Sequence, residues 1–395
     1  TINYKGNFGK HRLNLLGGAE HYTEAYSNFR VGAHDFNDIY QPHQSIGSAN
    51  AISTADIGSS TAQYTLKSLF GRAEYNFNDK YNFTANVRYD WSNKLGLGNQ
   101  SGIFPSFGVG WTISQEDFMK GVQWISSLKL RASYGSVGDQ GAIGDYTSQF
   151  LFGPNGQKYY DGSSGLFLPA AFSIQNQNTA LRWEVVTSTD VAADFSLFNG
   201  RLNGSFDYYY KKTNHLLYPY TVPTGGQYFV STILANIGDM SNKGFEFNLN
   251  YKAVSSSDFS WTPGVTFGLN RNKILNLSGK LNNTTFNVTQ RNVGSTSGLG
   301  ISGAISQIAY LKVGYPVGTL LLPQYAGLDA DGNQLFWKYA ADGSRTATKD
   351  VGELNYADDG STQDRKFYTT DPKFTYTINN NFTFKQFDLN IFMRG

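Results

Sequence analysis

Along residues 81–93, YNFTANVRYDWSN, hydrophobic and polar positions alternate without a slip. Tyr81, Phe83, Ala85, Val87, Tyr89 and Trp91 share one parity, while Asn82, Thr84, Asn86, Arg88, Asp90 and Ser92 share the other. Successive strand side chains point to opposite faces, so the pattern predicts a strand with one apolar and one polar face. The same period recurs in LKLRASYG (128–135), RLNGSFDYYYKK (201–212), GFEFNLNYK (244–252) and WTPGVTFGLN (261–270). Helical spacing is confined to SQEDFMKGVQWISS (114–127), room for a short turn of helix. The expected fold class is all-β.

The connections sharpen this. Strands expected near 64–78 and 80–92 meet at NDK (78–80), and those near 183–198 and 201–212 meet at Asn199-Gly200, a strong hairpin signal. Strands near 242–253 and 259–271 join through VSSSD, and those near 372–384 and 387–394 join at Lys385-Gln386. Between these hairpins lie polar, Gly-rich stretches at 25–63, 93–102, 136–182, 213–241 and around 272–371. Short connections alternating with long ones are the layout of an antiparallel transmembrane β-barrel of outer-membrane type, with tight periplasmic turns and long extracellular loops. Large aromatics at both ends of an apolar face, such as Tyr81 against Tyr89 and Trp91, fit two interfacial girdles with hydrocarbon between them. A soluble β-sandwich or solenoid with ordinary aromatic core faces is the alternative, and loops this long argue against it.

Composition agrees. The 395 residues include 29 Phe, 26 Tyr and 6 Trp, yet only 16% are charged, below the usual quarter of a soluble protein. A net charge of +2 without a Lys/Arg run argues against a nucleic-acid partner. With no cysteine there is neither disulfide nor thiolate metal site. No apolar run is long enough for a transmembrane helix. TINYKGNFGK, at the start, reads as strand rather than signal peptide, so an exported protein would carry this sequence as a fragment or processed form.

Five ordered blocks resemble the SusC/RagA family of TonB-dependent outer-membrane transporters. LFGRAEYNFNDKYNFTANVRYDWSNKLG (69–96) is similar to the family's paired barrel strands, and FPSFGVGWTISQEDFMK (104–120) to its Phe-Pro-Ser…Gly-Trp…Glu-x-Phe block. SSLKLRASYGSVGDQGAIGDY (126–146) resembles its Leu-Lys-Leu-Arg-x-Ser-Tyr-Gly segment, with Asp139 where the family usually has Asn. LRWEVVTSTDVAADFSLFNGRLNGSFDYYYKKTNHLL (181–217) and NIGDMSNKGFEFNLNY (236–251) continue the match, and residues 371–395 look like a late barrel hairpin. About a dozen strands are expected, against the roughly twenty-two the resemblance implies, so residues 1–395 are read as an incomplete barrel lacking plug domain and terminal strands. The resemblance implies an outer-membrane location and uptake of an oligosaccharide or peptide too large for porins. It further implies a TonB complex acting on the missing plug and a SusD-like surface lipoprotein over the extracellular side. A passive porin, a surface adhesin and a secreted carbohydrate-binding β protein are the competing readings.

Catalytic chemistry is not expected. Gly298, Gly300 and Gly303 spell G-x-G-x-x-G, but inside a Gly/Ser-rich loop with no following helix pattern. Asp329, Asp331 and Asn333 open like a calcium loop, yet Ala340 stands where its bidentate Glu belongs, so a turn stabilised by Asx side chains is expected. His11, His21, His34, His43 and His215 are scattered, and no metal or other cofactor is expected. Glu116-Asp117 and Asp358-Asp359 read as solvated pairs rather than a glycosidase couple. The polar parity carries both signs, with Arg88, Asp90, Lys129, Arg131, Glu184, Asp190, Asp194, Arg201, Asp207, Lys211, Glu246 and Lys252 expected to face the lumen. There they would pair with one another, the plug or water. Loop aromatics Tyr159, Tyr160, Tyr228, Phe229 and Trp337 are candidates for stacking on sugar rings or peptide side chains, or for packing within their own loops.

Overall fold

A computed structural model of the chain describes residues 1–36, 46, 49, 51, 57–226, 228–281, 284–295, 307–355 and 364–395. Twelve strands follow one another along a single antiparallel sheet. They are β1 (Ile2–Phe8), β2 (His11–Val31), β3 (Ile57–Phe77), β4 (Tyr81–Ser92), β5 (Ser101–Thr112) and β6 (Ile125–Asp139). The rest are β7 (Glu184–Leu197), β8 (Leu202–Asn214), β9 (Asp239–Tyr251), β10 (Phe259–Asn276), β11 (Thr375–Phe384) and β12 (Phe387–Arg394). Each strand pairs with its sequence neighbour, the meander expected of a barrel wall. Among the described residues β1 and β12 do not pair with each other, so the sheet is open.

The alternation of polarity becomes a register. Asn82, Thr84 and Asn86 of β4 lie opposite Gly110, Gly108 and Ser106 of β5 and opposite Asn76, Glu74 and Arg72 of β3. Polar residues thus line up across strands on one face, and Phe83 and Val87 join Val109 and Pro105 on the other. A one-residue slip would reverse both faces at once, so the two-faced pattern itself fixes the register.

Every expected short connection is present. Lys385-Gln386 is a two-residue turn and Asn78–Lys80 a three-residue one. Asn199-Gly200 marks its turn but not its width, because Leu197 pairs with Leu202 and four residues intervene. Phe198, Asn199 and Gly200 all take positive φ, which glycine and asparagine accept most readily. The helical spacing at 114–127 appears as two one-turn 3-10 helices, Ile113–Gln115 and Asp117–Met119.

Two strands outrun their expected lengths. The 25–63 region shrinks because β2 and β3 are 21 residues each, their distal halves rich in Ser, Thr, Gly and Ala. Those residues carry no hydrophobic alternation, yet cross-strand pairing holds them extended. The long connections are themselves structured. They contain the hairpin Leu151–Asp161/Leu166–Gln175, the pair Leu217–Thr221/Thr232–Asn236, and three small sheets within 277–374.

Most buried apolar side chains lie in these connections rather than on the wall. Leu95, Ile143, Leu181, Trp183 and Leu217 converge around Phe104 near the loop-side end of β5. Tyr220, Val222, Tyr228, Ile233, Leu281 and Phe286 form a second cluster, joining loop 215–238 to the segment after β10. A wall one sheet thick has no interior of its own, so its hydrophobic face must be covered from outside.

Candidate functional site

The outer face of the sheet is an apolar surface left open. Val87 is 48% exposed and Phe107 57%, and Leu69, Ile103, Val191 and Phe206 are comparably bare. They lie on neighbouring strands across the sheet, a contiguous exposed apolar face of the kind that marks contact with a membrane or a partner. Aromatic rings gather beside the short turns: Phe77 stacks on Tyr81 at 6.3 Å, Trp124 on Phe198 at 6.1 Å and Trp261 on Phe382 at 5.9 Å. Toward the loop ends Tyr89, Tyr134 and Tyr208 are also exposed. Tyr and Trp at both ends of the strands, with aliphatic residues and phenylalanines such as Phe107 and Phe206 between them, match a bilayer's two headgroup levels and its hydrocarbon.

On the opposite face two arginines are neutralised across strands. The Arg88 guanidinium donates to both Asp90 carboxylate oxygens at 2.7 and 3.0 Å, to Glu20 at 3.1 Å and to the Ser68 hydroxyl at 2.7 Å. One arginine therefore ties β2, β3 and β4 together, and Asp90 is only 7% exposed. Arg131 makes an analogous knot, donating to Asp194 at 2.7 and 3.0 Å and to Asp207 at 3.0 Å across β6, β7 and β8. Glu246 lies opposite Asp207 in the β8–β9 register. Arg201 lies in the exposed turn after Gly200, one residue before the first strand pair, Leu202 with Leu197. The parity of RLNGSFDYYYKK extended one residue past the first strand pair.

The loop aromatics divide. Tyr159, Tyr160 and Phe229 are exposed, with Tyr160 and Phe167 rings 5.4 Å apart on the projecting hairpin. Tyr228 is 5% exposed inside the second loop cluster and presents no free face. It follows two glycines in sequence, but the loop folds over it. Trp337 is half-buried, with the Arg345 guanidinium 4.1 Å from its ring centre. The Asp329 carboxylate is occupied by its own turn, accepting from the Asp331 and Asn333 amides at 2.9 and 2.8 Å and from Asn333 Nδ2 at 2.9 Å. These bonds hold it below the usual carboxylate range. Among the described residues no group of three potential ligands is placed to hold a metal. Gly298, Gly300, Gly303, His43, Asp358 and Asp359 lie outside the described residues.

Two features escaped the sequence reading. Asn176 and Asn178, both buried, fasten one long loop to another: Asn176 Nδ2 donates to the carbonyls of Val230 and Thr232 at 2.6 and 2.8 Å, and Asn178 Nδ2 to that of Leu234 at 2.7 Å. The repeated Gln-Asn of QNQN, polar but flanked by apolar residues, was the available signal. Glu116 is the second. Instead of being solvated, it accepts from Tyr81 Oη at 2.6 Å, Trp111 Nε1 at 3.0 Å and Lys80 Nζ at 3.0 Å, joining the β3–β4 turn to the β5–β6 connection.

The Tyr81 hydroxyl first, then Trp111 and Lys80, pull the Glu116 carboxyl down to about 2 from its ordinary 4.5. A depressed carboxyl stabilises the fold above its unfolded-state value, and that contribution is lost as pH falls through the folded one. Glu116→Gln is therefore expected to unfold at a lower temperature than wild type at pH 7. The gap should close as pH is taken from 4.5 toward 2. Equal unfolding temperatures at pH 7, read by the electrophoretic shift on heating, would count against this.

A family model described as TonB dependent receptor-like, beta-barrel, matches residues 1–391. The chain is 31% identical over 409 residues to TonB-dependent receptor P3 of Formosa agariphila, covering 100% of this chain and 38% of that protein. It is 31% identical to TonB-dependent receptor SusC of Bacteroides thetaiotaomicron, over 70% of this chain and 27% of SusC. In three dimensions it resembles the RagAB peptide importer in its open-open state, with TM-score 0.77 and 23% identity over 99% of this chain and 39% of that one. The chain thus spans well under half the length of the relatives it matches.

Proposed function

Because this chain belongs to the TonB-dependent receptor β-barrel family of the outer membrane, we propose that it forms part of the wall of an active nutrient importer. On this reading residues 1–395 are barrel strands and their loops throughout, and the plug and the segment that contacts TonB lie elsewhere in the polypeptide. The cargo is an oligosaccharide or peptide too large for porins. A SusD-like surface lipoprotein covers the folded extracellular loops, and TonB supplies the pull on the plug. The observation that carries the reading is the pairing of faces: a continuous bare apolar surface backs a polar surface whose arginines are neutralised across strands. Lipid is the solvent the first requires, and a water-filled passage is the setting that tolerates the second.

The test is uptake by the full-length protein in otherwise identical cells with and without TonB. Accumulation of cargo that stops when TonB is deleted is the expected result. Flux that persists unchanged without TonB would make the protein a passive porin, and no flux in either background would favour an adhesin.

A further inference from the structure

The wall treats its cations in two ways. On the polar face Arg88 and Arg131 each meet two carboxylates. On the lipid-facing parity of β8, β9 and β10, four cations gather without one. Tyr210 of β8 lies opposite Lys243 of β9, which in turn lies opposite Arg271 of β10. One row further from the short turns, Lys212 lies opposite Ser241, and Ser241 opposite Lys273. All four share the parity of Phe206 and Tyr208, which are bare on the outer face.

Side chains directly opposed on one face of an antiparallel pair have Cβ atoms about 5 Å apart, and like charges there repel. Lys243 facing Arg271 is such a pair. Among the described residues none of the four cations is ion-paired to a carboxylate. Arg271 Nη1 donates to the carbonyls of Asn270 and Lys373 at 2.9 and 2.7 Å, which occupy its hydrogens without cancelling its charge. The acidic residues of these strands are engaged elsewhere. Asp239, next but one to Ser241 on β9, accepts from the His215 amide at 3.4 Å. Asp371 accepts from Asn272 Nδ2 at 2.6 Å, and Asn272 and Glu246 both have the polar parity. Lys243, Arg271 and Lys273 are exposed and Lys212 is half-buried, so an anion from outside can reach them.

The depth of the patch is set by the strands. About ten residues separate Leu202, at the turn end of β8, from Lys212, one tilted bilayer span. Tyr208 and Tyr210 lie just inside the cations, and the Lys273 stem passes Gly314, where the long connections begin. Inward of the tyrosines the face is apolar and flat. Phe206 stacks on Phe245 at 6.1 Å, Phe245 on Phe267 at 5.7 Å, and Phe247 and Phe374 on Phe267 at 5.4 and 5.5 Å.

Unmatched positive charge at headgroup level, above a platform of stacked rings, is complementary to an amphiphile with an anionic head and acyl chains. A lone interfacial lysine does not select a ligand. Lys67, opposite Trp91 and 5.2 Å from its ring centre, is of that kind, an apolar stem with its charged end in the headgroup layer. Four cations on three adjacent strands instead converge on one group, and a guanidinium among them offers phosphate a two-pronged donor. The anionic amphiphile of the outer leaflet of an outer membrane is lipopolysaccharide, whose lipid A carries phosphate.

We propose that Lys212, Lys243, Arg271 and Lys273 bind the phosphate of one lipopolysaccharide molecule, whose acyl chains lie along the stacked phenylalanines. The inference requires the wall to span the outer membrane with its long connections outside, and it is independent of what the passage carries. The test uses the full-length protein, purified in neutral detergent and stripped of lipid. It is titrated with phosphorylated lipid A, dephosphorylated lipid A, phosphatidylglycerol and inorganic phosphate, and adducts are counted by native mass spectrometry. Wild type is expected to hold phosphorylated lipid A as a discrete adduct, more tightly than phosphatidylglycerol, and to bind the dephosphorylated form about tenfold or more weakly. The double variant Lys243→Gln, Arg271→Gln should weaken lipid A binding about tenfold or more, the scale of two cations at an anionic headgroup. The exchange variant Lys243→Arg, Arg271→Lys should retain binding, and Lys67→Gln should leave it near wild type, with the heat-induced electrophoretic shift of every protein unchanged. Lipid A binding untouched by the double variant, or indifferent to dephosphorylation in wild type, would overturn the site. An equal loss in Lys67→Gln would reduce it to general surface charge, and inorganic phosphate binding as tightly as lipid A would assign it to a soluble anion. Undiminished lipid A binding with loss of a co-purifying surface lipoprotein would give the patch to a protein partner. A preference for phosphatidylglycerol would contradict the sidedness of the wall rather than its place in a membrane.

Discussion

Val87→Arg in the full-length protein should largely abolish the folded, heat-modifiable form, whereas Thr84→Arg, three residues away on the same strand, should leave it near wild-type abundance. Val87 is mid-strand on the bare apolar face, 48% exposed and flanked by Gly71 and Pro105 in register. An arginine there sits at the bilayer centre, where the cost is about 2–4 kcal/mol. Against a marginally stable fold, a penalty of that size changes the folded fraction by a large factor. Thr84 points to the other face, opposite Gly108 and beside Glu74. A cation at that position has room and a carboxylate to meet. Asn86 is a poorer control, because it already accepts a hydrogen bond from Arg72 and a second arginine would crowd it. If both variants were equally damaged, or equally tolerated, the apolar face would not be a lipid face and a soluble two-sided sheet would explain the alternation instead.

How far the sequence could be read follows from the physics of a single-layer wall. A strand between hydrocarbon and water announces itself in period two, and β4, β8, β9 and β10 were legible for that reason to within a few residues. The distal halves of β2 and β3 were not legible. Ser27, Ser59, Ser60 and Thr61 carry no hydrophobic alternation, and what keeps them extended is the partner strand, a relation no local window contains. The loops were legible as long and polar but not as folded. Their order comes from contacts between segments far apart in sequence, such as Asn176 with Val230 or Tyr220 with Phe286.

The candidate site shows the same division. Arg88 and Asp90, two apart on one strand, were readable as neighbours on the polar face. That Glu20 and Ser68 complete the knot depended on the pairing of three strands. Glu116 was misread as solvated because its donors are Lys80, Tyr81 and Trp111, two of them in a different hairpin. Tyr228 looked like a free loop aromatic because nothing nearby in sequence says that Tyr220 and Ile233 will close over it.

All of this depends on the sheet spanning the outer membrane, with its long connections outside and its short turns in the periplasm. Single cysteines give the sharpest test, since this chain contains no cysteine to compete. At Gly162, on the tip of the projecting hairpin, an added Cβ would meet no heavy atom within 4 Å, so the position tolerates a side chain. On the turn side Arg201 is the better choice than Gly200, whose positive φ of 77° would strain any replacement. Intact cells carrying the full-length protein are treated with a membrane-impermeant maleimide, then treated again after the outer membrane is permeabilised. Gly162→Cys is expected to label on intact cells, and Arg201→Cys only after permeabilisation. Labelling of Arg201→Cys but not Gly162→Cys on intact cells would invert the topology, and equal labelling of both would contradict a membrane-spanning wall.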